Sequence, residues 1–327
     1  MSERPSLFLT RRLPPEAMHY LHDHFQVRVN DRDEALSKQE IIDQAQRCSV
    51  LLCLLTDRID AQVLSALPEL QVISNYAVGF DNIDLQAATF RGIPVCNTPG
   101  VLTEATADLT WALLLAVSRR MVEADHFVRS GCFHGWDPVL MLGEQVSGRT
   151  LGIVGMGRIG QAVARRAQGF DMPVLYTKRF PLPAEQAPLR SKHVALEQLL
   201  KEADIVSLHL PYSQQVHHVI DEAALSRMQS SAMLINTARG ALVDEQALVQ
   251  ALKRGDIAGA GLDVFEHEPA VHPGLLSGCP VVLAPHIGSA THRARVQMGC
   301  MAADNALAVL QGRSPHSVAN PEVLKQG

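Results

Sequence analysis

Residues 150–160 read TLGIVGMGRIG: a short apolar strand runs into Gly155-Met156-Gly157-Arg158-Ile159-Gly160, and helix-forming residues follow over 158–169. In this strand–turn–helix setting the G-x-G-x-x-G spacing predicts a dinucleotide-binding turn. Gly155 permits the tight turn, Gly157 lets backbone N–H groups approach a pyrophosphate, and Gly160 lets the helix pack close to its strand. Arg158 and Ile159 open that helix, where free amides and the positive end of the dipole favour an anion.

Working outward, strand-like and helical patterns alternate from the start of the chain, which argues for parallel sheets wrapped by helices. One series of strands is expected at residues 7–10, 26–29, 50–55, 71–77 and 94–97. A second begins at 150 and continues at 174–177, 205–210, 232–236, 259–264 and 281–284. A single long helix is expected at 103–129 between the two series, and another at 290–311. Residues 180–188, with three prolines, read as a surface loop. The expected fold is therefore α/β, with two doubly wound parallel-sheet domains.

Composition narrows the function. The chain has 327 residues, 47% hydrophobic and 19% charged, enough for two ordinary domains with substantial cores. A net charge of -5 gives no electrostatic case for nucleic acid as a partner. The apolar runs at 6–9 and 109–117 are too short for a signal-peptide core or a membrane span, so a membrane is not expected as a partner either. The six cysteines form no C-x-x-C pair, so neither a metal site nor a redox dithiol is predicted, and reduced thiols in a cytoplasm are the expectation.

An NAD-selecting fold places Asp or Glu at the end of the second Rossmann strand. Here that strand, 174–177, ends in Lys178-Arg179. Two cations in place of the acid suit the 2'-phosphate of NADPH, which a carboxylate would repel. NADPH is therefore expected over NADH.

Three further islands follow apolar strands, at the carboxyl edge where open α/β sheets bind ligands. They are Thr237-Ala238-Arg239-Gly240, the stretch Asp263-Val264-Phe265-Glu266-His267-Glu268-Pro269, and Pro285-His286-Ile287-Gly288-Ser289-Ala290. Together they supply a proton donor, a carboxylate and a cation.

In wording and order these islands resemble the D-isomer-specific 2-hydroxyacid dehydrogenases, over nearly the whole chain. Within that family they are nearest to glyoxylate/hydroxypyruvate reductases, through residues 51–57 (LLCLLTD), 99–107 (PGVLTEATA) and 285–293. The resemblance implies a catalytic trio of Arg239, Glu268 and His286. His286 would protonate the ketone oxygen during hydride transfer from the nicotinamide, Glu268 would orient it and favour its charged form, and Arg239 would hold the 2-oxo acid carboxylate. Glu266, two residues before Glu268, reads as a surface acid.

The same resemblance places the substrate carboxylate on backbone amides at Val78 and Gly79, with Leu54 lining the pocket. It assigns Thr106 to the nicotinamide side, Pro211 to the adenosine side and Asp263 to the carboxamide, and it has Thr237, Ala238 and Gly288 lining the cofactor. Trp136 would reach a neighbouring subunit's substrate site, which implies a homodimer. The implied organisation is a flavodoxin-like substrate domain, residues 1–98 with 291–327, and an NAD(P)-binding Rossmann domain inserted at 99–290.

The substrate stays open between glyoxylate, hydroxypyruvate and a larger acid such as 2-ketogluconate. Two other readings also stay open. Phosphite dehydrogenase resembles the chain at 127–131 and 305–320, although Val78 stands where that family has lysine. Dinucleotide-sensing corepressors share the fold without being enzymes.

Overall fold

Apolar runs of about four residues become buried strands because helices cover both faces of a parallel sheet. Val50-Leu51-Leu52-Cys53 is buried at every position, and so is Leu151-Gly152-Ile153-Val154. The computed structural model describes residues 4–32, 34–183 and 185–325. Residue 184 of the expected proline loop lies outside the described residues, and the described residues on either side of it form turns and irregular chain. The chain divides into two units, Met1–Leu102 with Ser289–Gly327, and Thr103–Gly288.

The first unit runs β1 (Ser6–Leu9), α1 (Pro15–His24), β2 (Gln26–Val29), α2 (Lys38–Ala45), β3 (Val50–Cys53), α3 (Ala61–Ser65), β4 (Val72–Asn75), α4 (Leu85–Phe90) and β5 (Val95–Cys96). Its five strands lie in the order β2-β1-β3-β4-β5, every pair parallel. That is the flavodoxin-like order. Side-chain caps start the helices. Ser37 and Glu40 form a reciprocal capping box on α2, while Asp60 and Asp84 accept N–H groups at the starts of α3 and α4.

The second unit contains α5 (Thr103–Ser118), α6 (Met121–Arg129), β6 (Leu151–Val154), α7 (Arg158–Ala167), β7 (Val174–Thr177), β8 (Ser191–His193), α8 (Leu196–Glu202), β9 (Ile205–Leu208), α9 (Glu222–Leu225), β10 (Met233–Asn236), α10 (Glu245–Arg254), β11 (Gly259–Leu262) and β12 (Val281–Leu283). Its seven strands are ordered β12-β11-β10-β9-β6-β7-β8 and are all parallel. The direction of winding reverses between β6 and β9, the switch point at which open α/β sheets bind ligands. The glycine turn leaves β6 at that point. The indole of Trp111 fixes α5 against α7, donating Nε1–H to Val163 O at 3.2 Å and stacking on Phe170 at 4.6 Å. The last helix, α11 (His292–Leu310), returns to the first unit, where Ser74 Oγ donates to Ala302 O at 2.8 Å and Asn305 Nδ2 donates to Asn97 O at 3.0 Å.

Two sequence expectations need correction. The single helix expected at 103–129 is broken into α5 and α6, with Arg120 in the left-handed region at φ 52°. The cause is a distant strand of chain: Glu144 N–H donates to Ser118 O at 2.8 Å and takes the acceptor a continuing helix would need. Strand β8 was not anticipated. It is a polar Ser-Lys-His edge, paired on one side only, and carries no apolar alternation to betray it.

Candidate active site

The glycine turn meets the steric demands expected of it. Gly155 has φ +102°, and a side chain there would lie 2.7 Å from the backbone of His209. A Cβ on Gly160 would meet Gly155 O at 2.3 Å, so only glycine lets α7 begin this close to β6. Gly157, the N-cap of α7, instead faces open space. Arg158 and Ile159 are the first two residues of the helix. Open space in front of uncapped helix amides is the cradle a pyrophosphate requires.

At the end of β7, Lys178 and Arg179 are both exposed, and the acid that would bind a ribose is absent from the strand end. His193 Nε2 lies 2.9 Å from Lys178 O, tying the edge strand β8 to this corner, and the Arg179 guanidinium lies 5.3 Å from the centre of the Phe180 ring. Pro211 is exposed in the loop after β9.

The trio is assembled by three neighbouring strand ends. After β10, the buried Asn236 shapes the turn: its amide donates to Arg239 O at 2.8 Å and its carbonyl accepts Ala238 N–H at 3.0 Å. Gly240 follows, and a Cβ there would fall 1.9 Å from Phe265 C and 2.0 Å from Phe265 O. The Arg239 turn therefore lies directly against the segment leading to Glu268. After β12, His286 adopts φ 54° and its N–H donates to Asp263 O at 2.8 Å. His286 Nδ1 lies 2.8 Å from Glu268 Oε2, while Glu268 Oε1 accepts Phe265 N–H at 3.0 Å.

Burial would push the Glu268 carboxyl up. The hydrogen bond and charge of His286, the Phe265 amide and the charge of Arg239 outweigh it and hold the group below its ordinary range. The three side chains thus act on one another.

Asp263 is the hub of this corner. It is buried, and its two carboxylate oxygens accept Ile287 N–H and Gly288 N–H, both at 2.7 Å. Each oxygen keeps a lone pair for a further donor. Desolvation raises the pKa of Asp263 despite those two amides and the charge of His286. A Cβ on Gly288 would sit 3.1 Å from Asp263 Oδ2 and 3.4 Å from Thr106 Cγ2, so Thr106, Asp263 and Gly288 share one surface. Thr237 joins them through Thr110, with the hydroxyls 2.9 Å apart and Thr110 Oγ1 donating to Thr106 O at 2.8 Å.

In the first unit, buried amides prepare the loop after β4. Asn75 Nδ2 donates to Gly79 O at 2.8 Å and Asn97 Nδ2 to Val78 O at 2.7 Å. Both carbonyls are thereby taken. Among the described residues no acceptor is paired with the Val78 or Gly79 N–H. Asn82 braces the same loop by donating to Leu54 O at 3.0 Å. Trp136 is 86% exposed in the chain that follows α6.

The sequence gives no sign of the supporting roles of Asn75, Asn82 and Asn97 beneath the loop, of Asn236 beneath Arg239, or of the close approach that Gly240 permits. Glu266 also needs correction. It is not a surface acid, since its side chain is 16% exposed and Oε1 lies 2.6 Å from His218 Nε2.

Known proteins carry the same pattern. Residues 111–288 match the D-isomer specific 2-hydroxyacid dehydrogenase NAD-binding domain. Glyoxylate reductase of Korarchaeum cryptofilum is 50% identical over 325 residues, covering 98% of either chain. The glyoxylate reductase of Thermococcus onnurineus is 47% identical, covering 98% of this chain and 97% of that one. Among solved structures, the NADPH-dependent glyoxylate/hydroxypyruvate reductase of Sinorhizobium meliloti, in complex with NADP and malonate, superposes with a TM-score of 0.87. It is 32% identical and 97% of each chain is covered. With its glycine turn, its trio and this likeness along its length, the chain belongs to the D-isomer specific 2-hydroxyacid dehydrogenase family, oxidoreductases that use a nicotinamide dinucleotide to reduce a 2-oxo acid.

Proposed function

We propose that the chain reduces a small 2-oxo acid of the glyoxylate or hydroxypyruvate type to the D-2-hydroxy acid, with NADPH preferred over NADH. The observation that carries this reading is the His286–Glu268 pair at 2.8 Å with the charge of Arg239 beside it. Glu268 engages Nδ1, so Nε2 is the ring atom that hands a proton to the ketone oxygen; in the oxidative direction the same atom takes it back. Arg239 holds the substrate carboxylate and stabilises negative charge developing on the ketone oxygen. In the first unit we assign the Val78 and Gly79 amides, together with Leu54, to substrate binding. The nicotinamide, when bound, supplies the hydride.

For the dinucleotide we assign the 155–160 turn to the pyrophosphate, Lys178 and Arg179 to the 2'-phosphate, and Pro211 to the adenosine. Thr106, Thr237, Ala238, Asp263 and Gly288 would serve the nicotinamide end. The S. meliloti relative, described as NADPH-dependent and holding NADP, supports the cofactor preference. A 2-keto-aldonic acid such as 2-ketogluconate would use the same anchors and differ only beyond C3.

We also assign the segment 121–142 to self-association as a homodimer. No residue of α6 is buried, and Met121, Val122, Val128, Phe133, Val139 and Leu142 are exposed along that segment. A hollow of about 320 Å³ beside it is lined by Val117, Val122, Leu142 and Val282. A run of exposed apolar side chains on one segment supports this assignment. Trp136 would then be offered to the partner's substrate site.

The decisive experiment is a panel of glyoxylate, hydroxypyruvate and 2-ketogluconate with each dinucleotide, repeated on His286→Asn. The variant should lose roughly 10²–10⁴-fold in kcat while keeping dinucleotide affinity. No NADPH oxidation by any of the three acids, or full turnover in the variant, would overturn the reading.

A further inference from the structure

Away from the trio, His217, His218 and Glu266 each bring one ligand atom to within 4.8 Å of the others, the one such cluster among the described residues. We propose that these three side chains form a binding site for a divalent transition-metal ion of the zinc class. Glu266 and Glu268 are two residues apart but serve different partners: Glu268 faces His286, and Glu266 faces His218.

The backbone sets up the cluster. His218 takes φ 50°, which brings the rings of His217 and His218 together, centroids 3.9 Å apart and 22° between their planes; the exposed His217 ring has to turn out of this stack to aim its lone pair at an ion shared with His218. The His218 N–H is fixed by Ala241 O at 3.0 Å, and Glu266 N–H by Glu245 Oε1 at 2.8 Å. Two imidazoles and a carboxylate are a known tetrahedral donor set for zinc, with the fourth position left to water. Metal–ligand bonds of about 2.1 Å in that geometry put the donor atoms roughly 3.4 Å apart. His218 Nε2 and Glu266 Oε1, now at 2.6 Å, would open by less than an ångström as the others draw in.

Two surrounding groups favour a cation. The buried Glu245 adds a second carboxylate next to Glu266, and the Tyr212 hydroxyl lies 3.4 Å from His217 Nδ1, which leaves Nε2 of that ring to ligate. His217 is exposed, so an ion has a way in.

The test uses the full-length protein dialysed against a chelator and titrated with Co²⁺, then Zn²⁺. One Co²⁺ per chain should bind with a tetrahedral ligand-field spectrum and be displaced by Zn²⁺. His217→Ala removes an exposed ring and leaves the His218–Glu266 pair intact. It should weaken binding at least ten-fold, as should Glu266→Gln, while a His19→Ala control binds as wild type does. Reductase turnover by His217→Ala without added metal should be unchanged, so this outcome is independent of the proposed reaction. Absence of one-to-one binding, or binding that survives His217→Ala and Glu266→Gln, would overturn the site.

Discussion

Gly240→Ala tests how the trio is held together without touching any of its members. A Cβ at this position would come 1.9 Å from Phe265 C, 2.0 Å from Phe265 O and 2.3 Å from Glu266 N. Cβ atoms do not approach heavy atoms closer than 3.0 Å, so about 1 Å of displacement must be found. All three obstacles are backbone, and no rotamer change can provide it. Either the Arg239 turn withdraws or the 265–268 segment does, and both separate Arg239 from Glu268. A misplacement of that size costs about 10²-fold in rate, and overpacking costs roughly 1–3 kcal/mol of stability. Steady-state kinetics with NADPH should therefore show kcat/KM down by about two orders of magnitude. Dinucleotide affinity, read by quenching or calorimetry, should fall less than kcat/KM does, because the 155–160 turn leaves β6, two strands away from β10. A variant with wild-type kcat/KM and unchanged melting temperature would refute the reasoning that Gly240 sets the separation.

Glu268→Gln has a signed pH consequence. The Glu268 carboxyl lies below its ordinary value of 4.5, so its contribution to stability is present above that value and is lost as pH falls through the depressed one. Wild type should exceed the variant in denaturant midpoint near neutrality and converge with it in acid; a gap independent of pH would contradict this. Replacing Lys178 and Arg179 together by alanine should raise the KM for NADPH roughly 10- to 100-fold, the worth of losing charge-assisted hydrogen bonds of about 1.5–3 kcal/mol, and leave the KM for NADH nearly unchanged. Equal effects on both cofactors would remove the 2'-phosphate assignment. Trp136→Ala should leave sedimentation as a dimer intact but alter the ratio of kcat/KM for hydroxypyruvate to that for glyoxylate, and an unaltered ratio would restrict this indole to the interface.

Much of this was legible in the chain because local physics decided it. Strand β7 falls at Val174–Thr177, as the apolar run between turn signals requires, and within the glycine turn the approach of Gly160 to Gly155 O is a local steric demand. His286, Glu268 and Arg239 stand out because each lies three to six residues beyond an apolar strand, in the order that the resemblance to a known family implies. What escaped depends on partners far along the chain. Glu144 ends α5 by capturing Ser118 O, and nothing near residue 118 announces it. Asn75 and Asn97 look like ordinary polar residues until their amides are seen clasping Gly79 O and Val78 O. Asp263 was noticed for a ligand, yet its two oxygens also organise Ile287 and Gly288, 24 and 25 residues on. Glu266 looks like a surface acid in the sequence because its partner, His218, lies 48 residues away along the chain.

Arg239, Glu268 and His286 all belong to the Thr103–Gly288 unit, which also contains the glycine turn. In the proposed reaction, proton handling and dinucleotide binding therefore belong to one unit, built on a single sheet, while Leu54, Val78 and Gly79 belong to the other. On that assignment, substitutions within Met1–Leu102 would alter substrate range and leave the acid–base groups of Thr103–Gly288 in place. Grafting the outer segments of one family member onto the inner segment of another is then the natural way to redirect substrate choice.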